Sequence, residues 1–375
     1  MNKIFMNQAG FGRTGIIIAV VVVITVVAIC FILQAERKET IKIGAIISLT
    51  GPASHLEVVR DGMLLAVDEI NSWSGINGRK IELIIEDSKT NSQEGKKAFN
   101  KIETEHHPVL YVATNSSVFM ALAPLAEKNR VVLVGLVVAT PKLTKQNEWV
   151  FKYYTTPEGE VRPILSILEE LKVKELCIFY QDDAFGASYF GLLKEEFQKT
   201  GGVVRSEAFE VKNPDFKGKI VKLKDAKAIY IVGFVKHARQ AIRQLREESF
   251  DGFILGNSGL TNLIKTTPEA NGAYVAAPAL YNPNYLFAKE VKGKYEARYS
   301  KPFIHQAANG YDFIKLLAGL LEDKEVSRES VKNLLERGFM YHGVFGELDV
   351  KPGEHDITFP LHPAQIVDGK LKYLR

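Results

Sequence analysis

The sequence predicts an α/β chain of two doubly wound parallel-sheet lobes, preceded by one N-terminal transmembrane helix. Three observations carry this. Residues 15–33 form an apolar run without a single charge. From Ile41 onward, short β-rich runs alternate with helical patterns, as βα units of a parallel sheet do. After Thr156-Pro157 the same rhythm starts again, which divides the soluble part in two. A chain of 375 residues is long enough for two such cores.

The run GIIIAVVVVITVVAICFIL at 15–33 nearly matches a bilayer core at about 1.5 Å per helical residue. Lys3 and Arg13 precede it and no acid does, so 1–14 is expected as a short cytoplasmic tail and everything after Leu33 as extracytoplasmic. Leu33-Gln34-Ala35 resembles a signal-peptidase site, and cleavage there is the alternative. The large residue three places before the cut and the length of the run favour a retained signal-anchor in the cell membrane, a single-pass topology. Cys30 invites lipidation, but Ile29 stands where such a site wants a small residue. Gly10-Phe11-Gly12-Arg13-Thr14-Gly15 matches GxGxxG letter for letter. It follows no strand and opens a membrane span, which excludes dinucleotide binding there.

Strand 41–48 ends in the turn signal Leu49-Thr50-Gly51-Pro52, and a helix follows with Val59, Met63, Ala66, Val67 and Ile70 on one face. The turn Ser74-Gly75-Ile76-Asn77-Gly78 leads to strand 80–86. Next come helix 92–105, strand 109–113, helix 118–128 and strand 131–136. In the second half, helix 158–171 buries Val161, Ile164, Leu165 and Leu168, and strands follow at 175–180, 203–210, 228–232 and 253–255. Helices at 285–299 and 307–321 precede short strands to the end.

Several stretches in register resemble the type I periplasmic binding proteins, in the branched-chain amino acid (leucine/isoleucine/valine) receptor family of ABC transporters. They are Ser48-Leu49-Thr50-Gly51-Pro52, Val67-Asp68-Glu69-Ile70-Asn71, Gly75 to Leu83, Gln181-Asp182-Asp183-Ala184-Phe185-Gly186, Ala308-Asn309-Gly310-Tyr311-Asp312 and Gly343-Val344-Phe345-Gly346. The resemblance covers essentially 41–375. It implies two lobes joined by three hinge crossovers, near 153–158, 278–284 and 343–346. Lobe 1 is then 41–155 plus 283–342, and lobe 2 is 156–282 plus 343–375.

The resemblance also implies where a ligand lies. Open parallel sheets bind beyond the carboxyl ends of their strands. Ser116, with Ser117 beside it, aligns with a serine that holds a ligand carboxylate at a helix N-terminus; a plain N-cap is the bland alternative. Val137, Val138 and Ala139 stand where the family takes the ligand ammonium, and Ala139 replaces its threonine hydroxyl unless Thr140 supplies it through a shift of register. Phe185 and Phe234 take the places of ligand-covering aromatics, and Leu56 lies where many members carry another. Ser258 stands where amino-acid receptors place an acid. The carboxylate end of the recognition apparatus is thus present and the ammonium end is missing. The expected ligand is a small amphipathic molecule, a carboxylic acid, amide or amino-acid-like compound, with free α-amino acids disfavoured.

Other chemistry finds no support. A net charge of +4 with no basic stripe interleaved with aromatics leaves no footprint for nucleic acid. Cys30 and Cys177 are the two cysteines, too few for a disulfide framework or a thiolate metal site. Asp182-Asp183 reads as a loop cap and His106-His107 as a helix end. Gly256-Asn257-Ser258-Gly259 falls one residue short of a G-x-S-x-G elbow. The expectation is no enzyme, no metal and no cofactor. Two roles remain: delivery of solute to an ABC permease, or sensing through a partner signalling protein.

Overall fold

The computed structural model describes residues 22–25, 39–138, 143–212, 216–264, 266–281 and 285–374. The first pass of the chain gives β1 (Ile41–Ile47), α1 (Glu57–Ser72), β2 (Ile81–Asp87), α2 (Ser92–His106), β3 (Leu110–Ala113), α3 (Ser116–Asn129), β4 (Val132–Leu136) and β5 (Val150–Tyr153). A second unit follows with α4 (Pro157–Glu170), β6 (Glu175–Gln181), α5 (Ala184–Lys199), β7 (Val203–Phe209) and α6 (Lys217–Leu223). It continues through β8 (Ala228–Val232), α7 (Val235–Glu247), β9 (Phe253–Gly256) and β10 (Tyr274–Pro278). The chain then returns to the first unit for α8 (Leu286–Tyr299), α9 (His305–Leu321), α10 (Arg328–Glu336), β11 (Phe339–Gly343), β12 (Gly346–Val350) and β13 (Asp356–Ile357). It ends in the second with β14 (Leu361–Val367) and β15 (Lys370–Tyr373).

The first sheet has the order β13-β5-β4-β3-β1-β2 and is parallel throughout. The second runs β15-β14-β10-β9-β8-β6-β7, parallel except for its last two strands. Each core therefore reverses strand order beside its first strand, between β1 and β3 and between β6 and β8. A crevice opens beyond the carboxyl ends at such a point. The central strands β3, β4 and β8 are buried along their whole length, as strands covered by helices on both faces must be.

Two glycines fix the layer behind the first sheet. At Gly62 of α1 a methyl group would meet the backbone carbonyl of Ala307, and at Gly310 of α9 it would meet that of Val59. These helices approach at backbone distance because neither carries a side chain there. Helix α9 is consequently buried from His305 to Leu321 apart from three positions.

The structure corrects three readings. Strands β5 and β10 are absent from the sequence-based reading. β5 carries Lys152, fully buried and paired with Asp356 at 3.1 Å, and β10 ends in Pro278; neither looks like a buried strand from composition. Helix α10 forms where the sequence reading has only short strands; Ser327 caps it and Val331, Leu334 and Leu335 form its buried stripe. The third crossover is also displaced. Gly343 and Gly346 pair across the turn of the β11–β12 hairpin, and Asp312 of α9 pins that turn by accepting from Tyr341 Oη at 2.8 Å and Val344 N at 2.9 Å. Ile357 then pairs with Tyr153 in the first sheet. Residues 343–357 thus belong with lobe 1, and the passage to the second sheet falls between Ile357 and Leu361.

The expected membrane span, 15–33, lies outside the described residues except for 22–25, which are helical. Among the described residues no helix is long and apolar enough to cross a membrane.

Candidate ligand-binding cleft

The loops that leave the two switch points face one another around a cavity of about 40 Å³. From the first lobe, His55 and Leu56 follow β1, Asn115 and Ser116 open α3, and Val137 follows β4. Tyr154 comes from the first crossover and Gln306 from the first turn of α9. From the second lobe, Phe185 opens α5, Gly233, Phe234 and Val235 follow β8, and Asn257 and Gly259 follow β9.

The lobes touch across this space. Phe234, only 7% exposed, packs with Ala53 and Leu56 of the opposite lobe, and its ring centroid lies 5.2 Å from that of His55. Phe185 lies 6.4 Å from Phe234, ring centre to ring centre, so the two aromatics form one apolar wall. Deeper in, Asn262 Nδ2 donates to Gln306 Oε1 at 3.0 Å, and Thr261 Oγ1 lies 3.3 Å from His305 Nδ1. Both pairs join the turn after β9 to helix α9.

Local geometry holds the lobe 1 loops. Asn115 adopts a positive φ of 70° and caps α3 by accepting from Val118 N at 3.2 Å. Val137 has φ of 56°, a costly conformation for a β-branched side chain. Asn309 enforces it: its Oδ1 accepts from Val137 N at 3.0 Å while its Nδ2 donates to Tyr153 O at 2.6 Å.

Among the described residues, no carboxylate, lysine or arginine lines the cleft. His55 is pushed down to about 4 by burial first, then by Lys236 and His237, so it is neutral at ordinary pH. His305, behind the wall, is pushed down to about 3 by burial, with His55 a lesser cause. Its Nε2 lies 3.0 Å from Tyr154 Oη.

Of the residues expected at the site, Leu56, Ser116, Val137, Phe185 and Phe234 line the cleft. Ser117 does not; its carbonyl accepts from Ser92 Oγ at 2.9 Å. Val138 is buried in the core among Phe119, Leu133 and Val150. Ser258 is buried one layer behind the wall, and Ala139 lies outside the described residues. Asp183 is a helix cap, accepting from Gly186 N at 2.9 Å. Among the described residues no cluster of histidine, cysteine and acidic side chains suits a metal ion.

Sequence reasoning missed His55, Asn115, Tyr154, Asn257 and Gln306 in the lining, and one acid behind it. Glu160, in the first turn of α4, is fully buried and accepts from Ser258 N at 2.7 Å, Ser258 Oγ at 2.9 Å and Tyr189 Oη. Burial raises its carboxyl to about 7 against the pull of these donors. His55, Asn115 and Asn257 were within reach, since each follows a predicted strand. Tyr154, Gln306 and Glu160 come from a crossover and two helix starts, where strand logic does not look.

Two open sheets with matching switch points, wound back and forth around a shared apolar cleft, define a two-lobed binding protein. The family described as "Periplasmic binding protein" matches residues 40–370, and the chain belongs to it. Within it the chain is a type I periplasmic binding protein of the branched-chain amino acid receptor family. It is 27% identical over 230 residues to the Leu/Ile/Val-binding protein homolog 3 of Brucella melitensis, an alignment covering 59% of this chain and 62% of that one. The match thus spans less than two thirds of that curated relative. In three dimensions the chain is similar to the branched-chain amino acid transporter substrate binding protein LivJ of Streptococcus pneumoniae, solved with isoleucine. The TM-score is 0.79 at 23% identity, over 89% of this chain and 98% of that one. It is equally similar to an ABC-transporter solute binding protein of Rhodopseudomonas palustris solved with 3,4-dihydroxybenzoic acid. There the TM-score is 0.81 at 20% identity, over 89% and 96% of the two chains. At these identities the structural likeness establishes the fold.

Proposed function

We propose that this chain is the membrane-tethered, extracytoplasmic receptor of an ABC importer, capturing a small amphipathic solute between two closing lobes without chemistry of its own. The observation that carries this reading is the cleft: two switch points meet in one neutral, largely apolar space lined from both lobes. The uncharged run at 15–33 behind Lys3 and Arg13 supports the tether and the orientation.

The lining supports a ligand with one polar or anionic end, set near Ser116 at the start of α3, and a body covered by Leu56, Val137, Phe185 and Phe234. It argues against a free α-amino acid. An ammonium needs a counter-charge when desolvated, and both oxygens of the nearby acid, Glu160, are engaged by Ser258 and Tyr189.

The test is a thermal-shift screen of the full-length chain in detergent against carboxylic acids, amides and amino acids, since binding to the native state raises stability. Small-angle scattering with the tightest hit should show a smaller radius of gyration. An unchanged radius at saturation counts against capture by lobe closure.

A further inference from the structure

Asn257 stands immediately before the helical turn 258–263, in the N-cap position. Asparagine is favoured there because its side-chain oxygen accepts from the first free N–H groups of the turn. Here it makes no such bond. Asn257 lines the cleft, is 4% exposed, and its Oδ1 is buried with no hydrogen-bond partner. A buried amide oxygen with nothing to accept from is an unfavourable arrangement that a native structure keeps for a reason. Across the cleft, Gln306 is also 4% exposed and lines the same space. Its Oε1 is committed to Asn262 Nδ2 at 3.0 Å, which leaves Nε2 as the end of the amide available to the cleft.

One lobe therefore offers a neutral acceptor and the other a neutral donor. We infer that Asn257 and Gln306 form a recognition pair for a neutral carboxamide, whose N–H donates to Asn257 Oδ1 and whose carbonyl accepts from Gln306 Nε2. This rests on the reading of the chain as a solute receptor and narrows its ligand class. A carboxylate would set an anion against Asn257 Oδ1 and has no proton to donate. An ammonium would find one neutral acceptor and no negative charge. A carboxamide satisfies both groups at once, and a buried polar site of this kind rejects analogues that leave its members unpaired.

The experiment uses the full-length chain in detergent and calorimetry with probes that share a body and differ in the polar end. These are 4-methylpentanamide, 4-methylpentanoate and leucine, with benzamide and benzoate as an aromatic series. The amide should bind at least about tenfold tighter than its carboxylate, the worth of one hydrogen bond. Asn257→Leu should erase that preference. Gln306→Glu, which keeps the acceptor for Asn262 and removes the donor, should weaken amide binding by a similar factor. Thermal unfolding of each variant checks that it is folded. Tighter binding of a carboxylate or of leucine overturns the inference and leaves the receptor reading intact. An amide preference that survives in both variants overturns the assignment of the pair. Failure of every probe overturns the carboxamide class, and the wider solute screen then judges the receptor reading separately.

Discussion

Ser258 grips Glu160 twice: its backbone N–H donates to Oε2 at 2.7 Å and its hydroxyl to Oε1 at 2.9 Å. The family resemblance implies an acid at the place of this serine, and Glu160 supplies a carboxyl one layer deeper and on another element. Among the described residues the cleft surface is left uncharged. An acid introduced at 258 would meet Glu160 directly, and two desolvated carboxylates that close cannot both ionise.

This sets the outcome of restoring the family acid. Ser258→Glu alone should destabilise the fold and confer no leucine binding. Ser258→Glu combined with Glu160→Gln should recover stability and shift preference toward leucine, as calorimetry would register. Leucine binding gained by the single variant, or sub-micromolar leucine binding by the unmodified protein, contradicts this account of the site.

Stability should fall with pH because of Glu160. Its carboxyl is raised by burial from 4.5 to about 7, so between these values the folded state keeps a proton that the unfolded chain releases. The contribution is complete below about pH 4.5 and is lost as pH rises through about 7. Asp312, raised to about 6 by burial, acts in the same direction. Glu160→Gln should therefore gain on the wild type by on the order of 3 kcal/mol between pH 5 and pH 8. Chemical denaturation at several pH values would show it; a difference independent of pH refutes it.

The acid limb belongs to histidine. His305 is held neutral by burial down to about 3, so the folded state takes up fewer protons than the unfolded chain as pH falls below 6.5. Stability from this group is full above 6.5 and lost toward about 3. His305→Gln should flatten the acid side of the profile. An unchanged acid limb would falsify this assignment.

Asn309 should matter to the fold and to the cleft together. It is completely buried, and Asn309→Leu strands the N–H of Val137 and the carbonyl of Tyr153. The expected cost is roughly 2–4 kcal/mol from two unpaired buried groups. The loop at Val137 should also relax from its positive φ, weakening ligand binding beyond the loss of stability. Equal affinity in a folded variant would show that Val137 needs no such clamp.

The topology is tested by fractionation. Full-length protein should sediment with membranes, and protease added outside the cytoplasmic membrane should digest the chain beyond Leu33. Recovery in the cytosol refutes the orientation, whereas a mature chain beginning at Glu36 refutes only the anchor.

Much of the fold was legible because parallel strands in a doubly covered sheet must be apolar on both faces. IKIGAII at β1 and AIYIV at β8 announce themselves by composition, and a repeat of the βα rhythm after Thr156-Pro157 marks a second core. The family resemblance, read with the rule that ligands sit beyond strand ends, picked out Leu56, Ser116, Val137, Phe185 and Phe234, and these line the cleft. Local sequence was sufficient wherever a residue's role depends on its own element.

Tertiary structure decided the remainder, since those roles depend on what lies opposite. Lys152 is tolerable in β5 because Asp356, two hundred positions away in sequence, pairs with it. The Gly343–Gly346 turn stays with the first lobe because Asp312 of α9 holds it. Ser258 looks like a lost acid until α4 brings Glu160 beneath it, and Asn257 looks like a cap until its oxygen is found buried without a partner. Periodicity records which way a side chain faces within its own helix or strand. Which donor meets which acceptor is settled when the elements pack, by desolvation that makes every unmatched group costly.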